Sequence, residues 1–360
     1  MTDAGVDECT CRLDGDDLIQ EIRLAGRPAR VTRQTFADAA WQFPQLVGRK
    51  LGEGYCVFGD GERAAVGDLL FRAGAGSATL ALHPAGHTIA VASDRSGAEG
   101  GDVFLIDLAT GVRRRVHAIE HDPSDAQQVA VRGLRWTPDG AALLVALPWQ
   151  VRMLDAGGQV LAAAPVGRMD LGPTIDVAGG RLLTSEDRDG DPYVCVRRLT
   201  DLPGEPIFVR AGSDWGHLRA ALSPSGEEIA IVDGKEPKVT IFEVASGREV
   251  GRVATEGPVW RVGFAPGGDR LLATMDWHAG GPVVIDRASG AVLHRFVDDE
   301  GKPRVTPEWA WSPDGTVLAL GGRRLMLVDS ATYVERPESA ALEAWGNAAA
   351  GLSFSSREPD

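Results

Sequence analysis

The stretch 309-WAWSPDGTVLALG-321 is apolar, turns at Pro-x-Gly, and is apolar again. Four other stretches repeat it: 80-LALHPAGHTIAVA-92, 134-LRWTPDGAALLVA-146, 220-AALSPSGEEIAIV-232 and 262-VGFAPGGDRLLAT-274. Proline presets φ near −65°, roughly what the early turn position needs, and the glycine two residues later accepts positive φ. An aspartate between them, Asp139 or Asp314, can bond its own backbone. The flanking runs alternate or are continuously apolar, the pattern of strands buried on one or both faces. Each copy therefore predicts two antiparallel strands joined by a tight turn.

The spacing of the copies sets the architecture. Pro224, Pro266 and Pro313 are 42 and 47 residues apart, and 54 residues separate Pro84 from Pro138. Midway between Pro138 and Pro224 lies a degenerate copy, 175-IDVAGGRLLTSE-186, with Gly179-Gly180 in place of Pro-x-Gly. A second strand pair follows each inner hairpin, as in 103-VFLIDLATGVRRRV-116 and 238-KVTIFEVASGREVGRV-253. Six units of about 40–50 residues have the period of four-stranded propeller blades, so the fold class is all-β. The segments 55-YCVFGDGERAAVGDLLFRA-73 and 351-GLSFSSREPD-360 read as outer and inner strands of a seventh, composite blade. Closing the ring this way removes exposed sheet edges. The expectation is a seven-bladed β-propeller over residues 46–360, with six or eight blades as alternatives. Residues 1–45 form an N-terminal extension whose hairpin, 18-LIQEIRLAGRPARVTR-33, is an outer strand pair or a cap.

The phrases WSPDG and LSPSG, with the ATG-type hairpins, resemble the WD-repeat and related bacterial propeller families. The pieces 91-VASDRSGAEGGDVFLIDLATG-111 and 184-TSEDRDGDPYVCVRRL-199 are similar to blades of the periplasmic propeller of the Tol system. The Trp-Asp pair that ends a standard WD blade is replaced here by Ile106-Asp107, Leu154-Asp155 and Val328-Asp329. The resemblance implies a fold. It does not imply an activity, because propellers host unrelated ones.

Composition narrows the partners. Lysine and arginine total 37 and acidic residues 51, for a net charge of −14, which repels nucleic acid and anionic membranes. No run approaches the ~20 apolar residues of a membrane span. The polar start, MTDAGVDECTCRLDGDD, is not a secretory signal, so a cytoplasmic monomer is expected. The four cysteines lack paired C-x-x-C or Cys/His zinc spacing. No G-x-S-x-G, phosphate loop or dinucleotide fingerprint stands in the right setting, and no cofactor is expected.

The Pro-x-Gly turns mark one rim of the ring, so a ligand site is expected on the other, among the loops that lead into each blade and those that join its middle strands. These loops carry His121, His217 and His278, each with an acid nearby: Asp122, Asp214 and Asp276. Histidine and carboxylate suit a divalent metal or acid–base chemistry, as in metal-dependent propeller lyases and lactonases. Ordinary polar loops would look the same.

A second set comes from counting back from each turn proline. Five residues before stand Thr79, Gly133, Arg219, Arg261 and Glu308; three before stand Ala81, Arg135, Ala221, Gly263 and Ala310. Arg219 and Arg261 recur in consecutive blades of an acidic protein, and two guanidinium forks suit a carboxylate or phosphate. Arg135, Glu308, Trp260 and Trp277 complete this candidate anion site. Pairing of Arg261 with Glu308 of the next blade is the structural alternative. Two residues before each proline, Leu82, Trp136, Leu222, Phe264 and Trp311 read as core between blades.

Two function classes follow. One is a binding or scaffold module for a protein or small anion. The other is a small-molecule enzyme, a lyase, lactonase or isomerase, with the histidines as base or metal ligands.

Overall fold

A computed structural model describes residues 8–14, 17–23, 28, 30–35, 79–94, 101–109, 112–119, 131–169, 175–213, 218–233, 236–275, 281–297, 309–321 and 325–339. Among them stand six successive antiparallel sheets of a β-propeller, each in strand order along the chain. Blade 1 comprises β4 (Thr79–Leu82), β5 (Thr88–Asp94), β6 (Gly101–Asp107) and β7 (Arg113–Ile119), and blade 2 β8 (Gly133–Trp136), β9 (Leu143–Leu147), β10 (Gln150–Leu154) and β11 (Val160–Pro165). Blade 3 has β12 (Ile175–Ala178), β13 (Arg181–Arg188), β14 (Asp191–Arg198) and β15 (Phe208–Ala211). Blade 4 has β16 (Leu218–Leu222), β17 (Glu228–Asp233), β18 (Lys238–Glu243) and β19 (Glu249–Ala254). Blade 5 has β20 (Val259–Phe264), β21 (Arg270–Met275), β22 (Val283–Asp286) and β23 (Val292–Arg295), and blade 6 has β24 (Trp309–Trp311), β25 (Val317–Leu320) and β26 (Met326–Asp329).

The described ring thus has six blades, the alternative count, and not the seven expected first. The strands assigned to the composite seventh blade, 55–73 and 351–360, lie outside the described residues. Before the ring, β1 (Glu8–Asp14), β2 (Asp17–Arg23) and β3 (Arg30–Thr35) form a three-stranded antiparallel sheet. Its second and third strands match the hairpin expected at 18–33, and its first falls in the polar start, where no strand is expected.

The turn chemistry is the one the sequence predicts. At the blade 2 turn, Gly140 N donates to Thr137 O at 2.8 Å, and Thr137 N donates to Ala142 O at 2.8 Å. Gly140 takes φ 71°, where a side chain would be strained. Asp139 and Asp314 accept the hydroxyls of Thr137 and Ser312 at 2.6 and 2.5 Å. The Ser312 hydroxyl, with Thr316, holds the Asp314 carboxyl down at about 2. In the degenerate copy, Ala178 pairs with Arg181, and Gly179 and Gly180 take φ 54° and 70°. Two residues of positive φ make the tight hairpin turn that suits strand twist, so this blade keeps its hairpin with a shorter loop.

The core lies between the blades. Ala90, Val103 and Leu105 of blade 1 pack with Leu134, Trp136 and Val145 of blade 2, and Ala230 and Ile241 of blade 4 pack with Phe264 and Leu271 of blade 5. Trp136 also ties two blades by a hydrogen bond, Nε1 to Ala81 O at 3.1 Å. Of the large apolar residues two before the proline, Trp136, Leu222 and Phe264 are buried as the repeat predicts, whereas Leu82 and Trp311 are half-buried.

Blade 6 ends differently. Its outer edge, β26, meets no fourth strand among the described residues. Asp329 N donates to Val334 O at 2.9 Å, and Tyr333 N and Arg336 N donate to Asp329 O and Leu327 O at 2.8 Å. The Ser339 hydroxyl completes the edge, accepting from Leu327 N at 2.9 Å and donating to Leu327 O at 3.1 Å.

Candidate functional site

The inner strands carry the arginines picked out by counting. Arg219 lies on β16 with Leu218 and Ala220 buried on either side, so its own side chain points to the opposite face, toward blade 5. There its guanidinium lies over the Trp260 ring, 5.5 Å from the centroid. Arg261 repeats the arrangement one blade on, 4.6 Å over Trp309 of blade 6. The four residues make an alternating Arg-Trp ladder across three blades. Two local features permit it. The register of β20 shifts between Val259 and Arg261, so Trp260 is an extra residue in the strand, a bulge that re-aims a side chain. Gly263 has no Cβ, and one would occupy the space of the Trp309 ring.

The electrostatics of the ladder are uneven. Arg219 Nη1 donates to Leu218 O at 3.0 Å. Among the described residues no carboxylate pairs with it. Burial alone lowers its guanidinium below the ordinary arginine value. Trp260 is 39% exposed, whereas Trp309 is buried and its Nε1 meets no acceptor among the described residues. The ladder therefore sets a desolvated positive charge beside an exposed aromatic surface. Chemically, a guanidinium beside an aromatic face has what an anion with an aromatic or apolar neighbour requires.

Arg135 sits apart on β8, with Nη1 donating to Leu134 O at 2.8 Å. The other nominated residues, His121, His217, His278, Trp277 and Glu308, lie outside the described residues. Among the described residues no group of three or more His, Cys, Asp and Glu could hold a metal, and no helix is long and apolar enough to cross a membrane.

One cluster escaped sequence reading. The stretch 186-EDRDGD-191 reads as an acidic loop, but Glu186, Asp187 and Arg188 belong to β13, and the turn is only Asp189-Gly190. Glu186 is 2% exposed and Arg197 4%. Glu186 Oε1 accepts from Arg197 Nη1 at 2.5 Å and from Thr184 Oγ1 at 2.6 Å. Its Oε2 accepts from Gly167 N at 3.0 Å and from Arg188 Nη2 at 3.1 Å. Burial raises the Glu186 carboxyl, but Arg197, Thr184 and Gly167 outweigh it and hold it below the usual range. Beside it, burial and the Glu186 charge push the Cys195 thiol to about 12, so it stays protonated and inert. The signal available in the sequence was Arg197, a charge directly after the apolar run Tyr193–Val196 of β14.

Comparison with known proteins agrees with the architecture. No protein-family model matches the chain, and no curated protein matches it. Among solved structures it is similar to a chain of the mitotic checkpoint complex, at 18% identity and TM-score 0.55, covering 72% of this chain and 78% of that one. It is also similar to the hydrazine synthase of Kuenenia stuttgartiensis, at 20% identity and TM-score 0.53, covering 70% and 76%. At such identities the likeness speaks for the fold, a WD-repeat-like β-propeller.

Proposed function

We propose that the chain is a protein-binding propeller module that holds an acidic segment of its partner against the Arg219–Trp260 end of the ladder. The supporting observation is Arg219, a largely buried guanidinium with no described carboxylate partner, stacked on an exposed tryptophan. Buried charges are ordinarily paired, so an anion supplied from outside gives this one its counter-charge. Fold likeness extends to a chain of a checkpoint complex and to a synthase, so the choice rests on the site. A small carboxylate would use the same groups. Cys195, a buried free thiol, suits the reducing cytoplasm proposed for the chain.

The test is a screen of acidic peptides on the purified chain, by fluorescence anisotropy, followed by Arg219→Gln. Loss of a charge-assisted contact should weaken binding by about tenfold or more, and raising salt should weaken the wild type more than the variant. Equal binding by wild type and Arg219→Gln would remove the site from the function.

A further inference from the structure

Resting on the site proposed above, we propose that Arg219 selects a carboxylate over a phosphate, so that the partner is recognised through an aspartate or glutamate side chain and phosphorylation is not what creates the contact. Two arginine forks acting together would suit either anion, but the fold keeps them apart. Arg219 reaches from blade 4 onto Trp260, whereas Arg261, the next residue of β20, reaches onto Trp309 of blade 6. The two guanidiniums therefore stand on opposite faces of blade 5, and Arg135 is two blades away on β8. An anion held at Arg219 meets one guanidinium. Its Nη1 already donates to Leu218 O at 3.0 Å. Its Nε and Nη2 make no hydrogen bond among the described residues, and this edge carries two parallel N–H groups that match the two oxygens of one carboxylate.

Charge decides between the two anions. Arg219 is half-buried, and one carboxylate makes a neutral pair with it. A phosphomonoester brings a charge of about −1.5 to −2 at neutral pH and leaves an excess. That excess would stand where water is partly excluded, which is costly for any unpaired charge. The rim around it is already acidic. Asp233 ends β17, beside Leu218, and Glu256 lies in the loop entering blade 5. Both are engaged, Asp233 by the Ser213 amide at 3.0 Å and Glu256 by Arg295 at 2.6 Å. Their charges oppose a dianion more than a monoanion. Sites that read phosphate gather several arginines; this one presents a single fork.

The test uses fluorescein-labelled peptides Gly-Phe-X-Phe-Gly amide, with X glutamate, glutamine or phosphoserine, titrated onto the full wild-type chain by anisotropy. At about pH 7.5 the glutamate peptide should bind about tenfold or more tightly than either of the others. Near pH 5.5 most of the phosphate is a monoanion, its second pKa being about 6, so the phosphoserine peptide should gain on the glutamate peptide. The ratio of the two affinities is read, because acidification also changes the charge of the whole chain. A cluster of arginines would give the opposite trend. Folded Arg219→Gln should bring the glutamate peptide to the level of the glutamine peptide, and Trp260→Ala, made at an exposed position, should weaken it several-fold. If phosphoserine binds as tightly as glutamate at the higher pH, or loses ground on acidification, and depends on Arg219, the selectivity is wrong while the site stands. If no peptide binds, or if both variants bind all three like wild type, the site itself fails and the selectivity with it.

Discussion

Arg197 and Arg219 are guanidiniums withdrawn from water in neighbouring blades, and they are solved in opposite ways. Arg197 meets Glu186 at 2.5 Å inside a network that also holds Thr184, Arg188 and the Gly167 amide. Arg219 meets one backbone carbonyl and a tryptophan face. The first charge is neutralised by the fold and is structural. The second meets no carboxylate among the described residues, and the proposed site rests on that difference.

The largest expected effect tests the structural half. Glu186→Ala strands Arg197 in a buried position and should cost about 3–5 kcal/mol, read by denaturant unfolding. A loss below about 1 kcal/mol would mean that Arg197 finds another counter-charge and that the contrast is false. Trp136→Phe, which removes the indole bond to Ala81 O and leaves a small cavity where the larger ring stood, should cost about 1–3 kcal/mol and calibrates an ordinary tie between blades.

Arg219→Leu should be close to neutral, within about 1 kcal/mol, because it removes a desolvated charge that has no acid partner among the described residues. A loss as large as that of Glu186→Ala would make Arg219 structural.

A third arginine sharpens the comparison at the smallest scale. Arg152 Nη1 lies 3.0 Å from His117 Nε2, a neutral acceptor. Burial, then the Arg152 charge, lowers the His117 pKa below 6.5. The folded state therefore binds fewer protons than the unfolded one. This contribution is full above 6.5 and is lost as pH falls from there through the lowered folded value. Melting between pH 7.5 and 5 should be less steep in His117→Gln than in wild type. An identical pH profile would show that the imidazole does not sense Arg152.

Much of this molecule is legible in the sequence because its turns demand particular residues. Pro138, Asp139 and Gly140 each answer a backbone requirement, so the hairpins can be read and counted. The same ruler reached Arg219 and Arg261, since a repeat fixes where each strand position faces. It did not reach Glu186. The local string Glu-Asp-Arg-Asp-Gly-Asp has the composition of a loop, and the burial of its first residue depends on Gly167, nineteen positions away, at the exit of the preceding blade. Nor could counting pair Arg261 with Trp309, a contact that exists because Gly263 leaves room for the ring.

The Ser339 hydroxyl on Leu327 has a consequence for behaviour in a crowded solution. A blade rim with free amides and carbonyls is an invitation to a neighbour's strand, and runaway association begins there. At β26 that invitation is withdrawn by one side chain that both gives and takes a proton, helped by the amides of Tyr333 and Arg336. A visiting strand would have to evict them before it could add a rung.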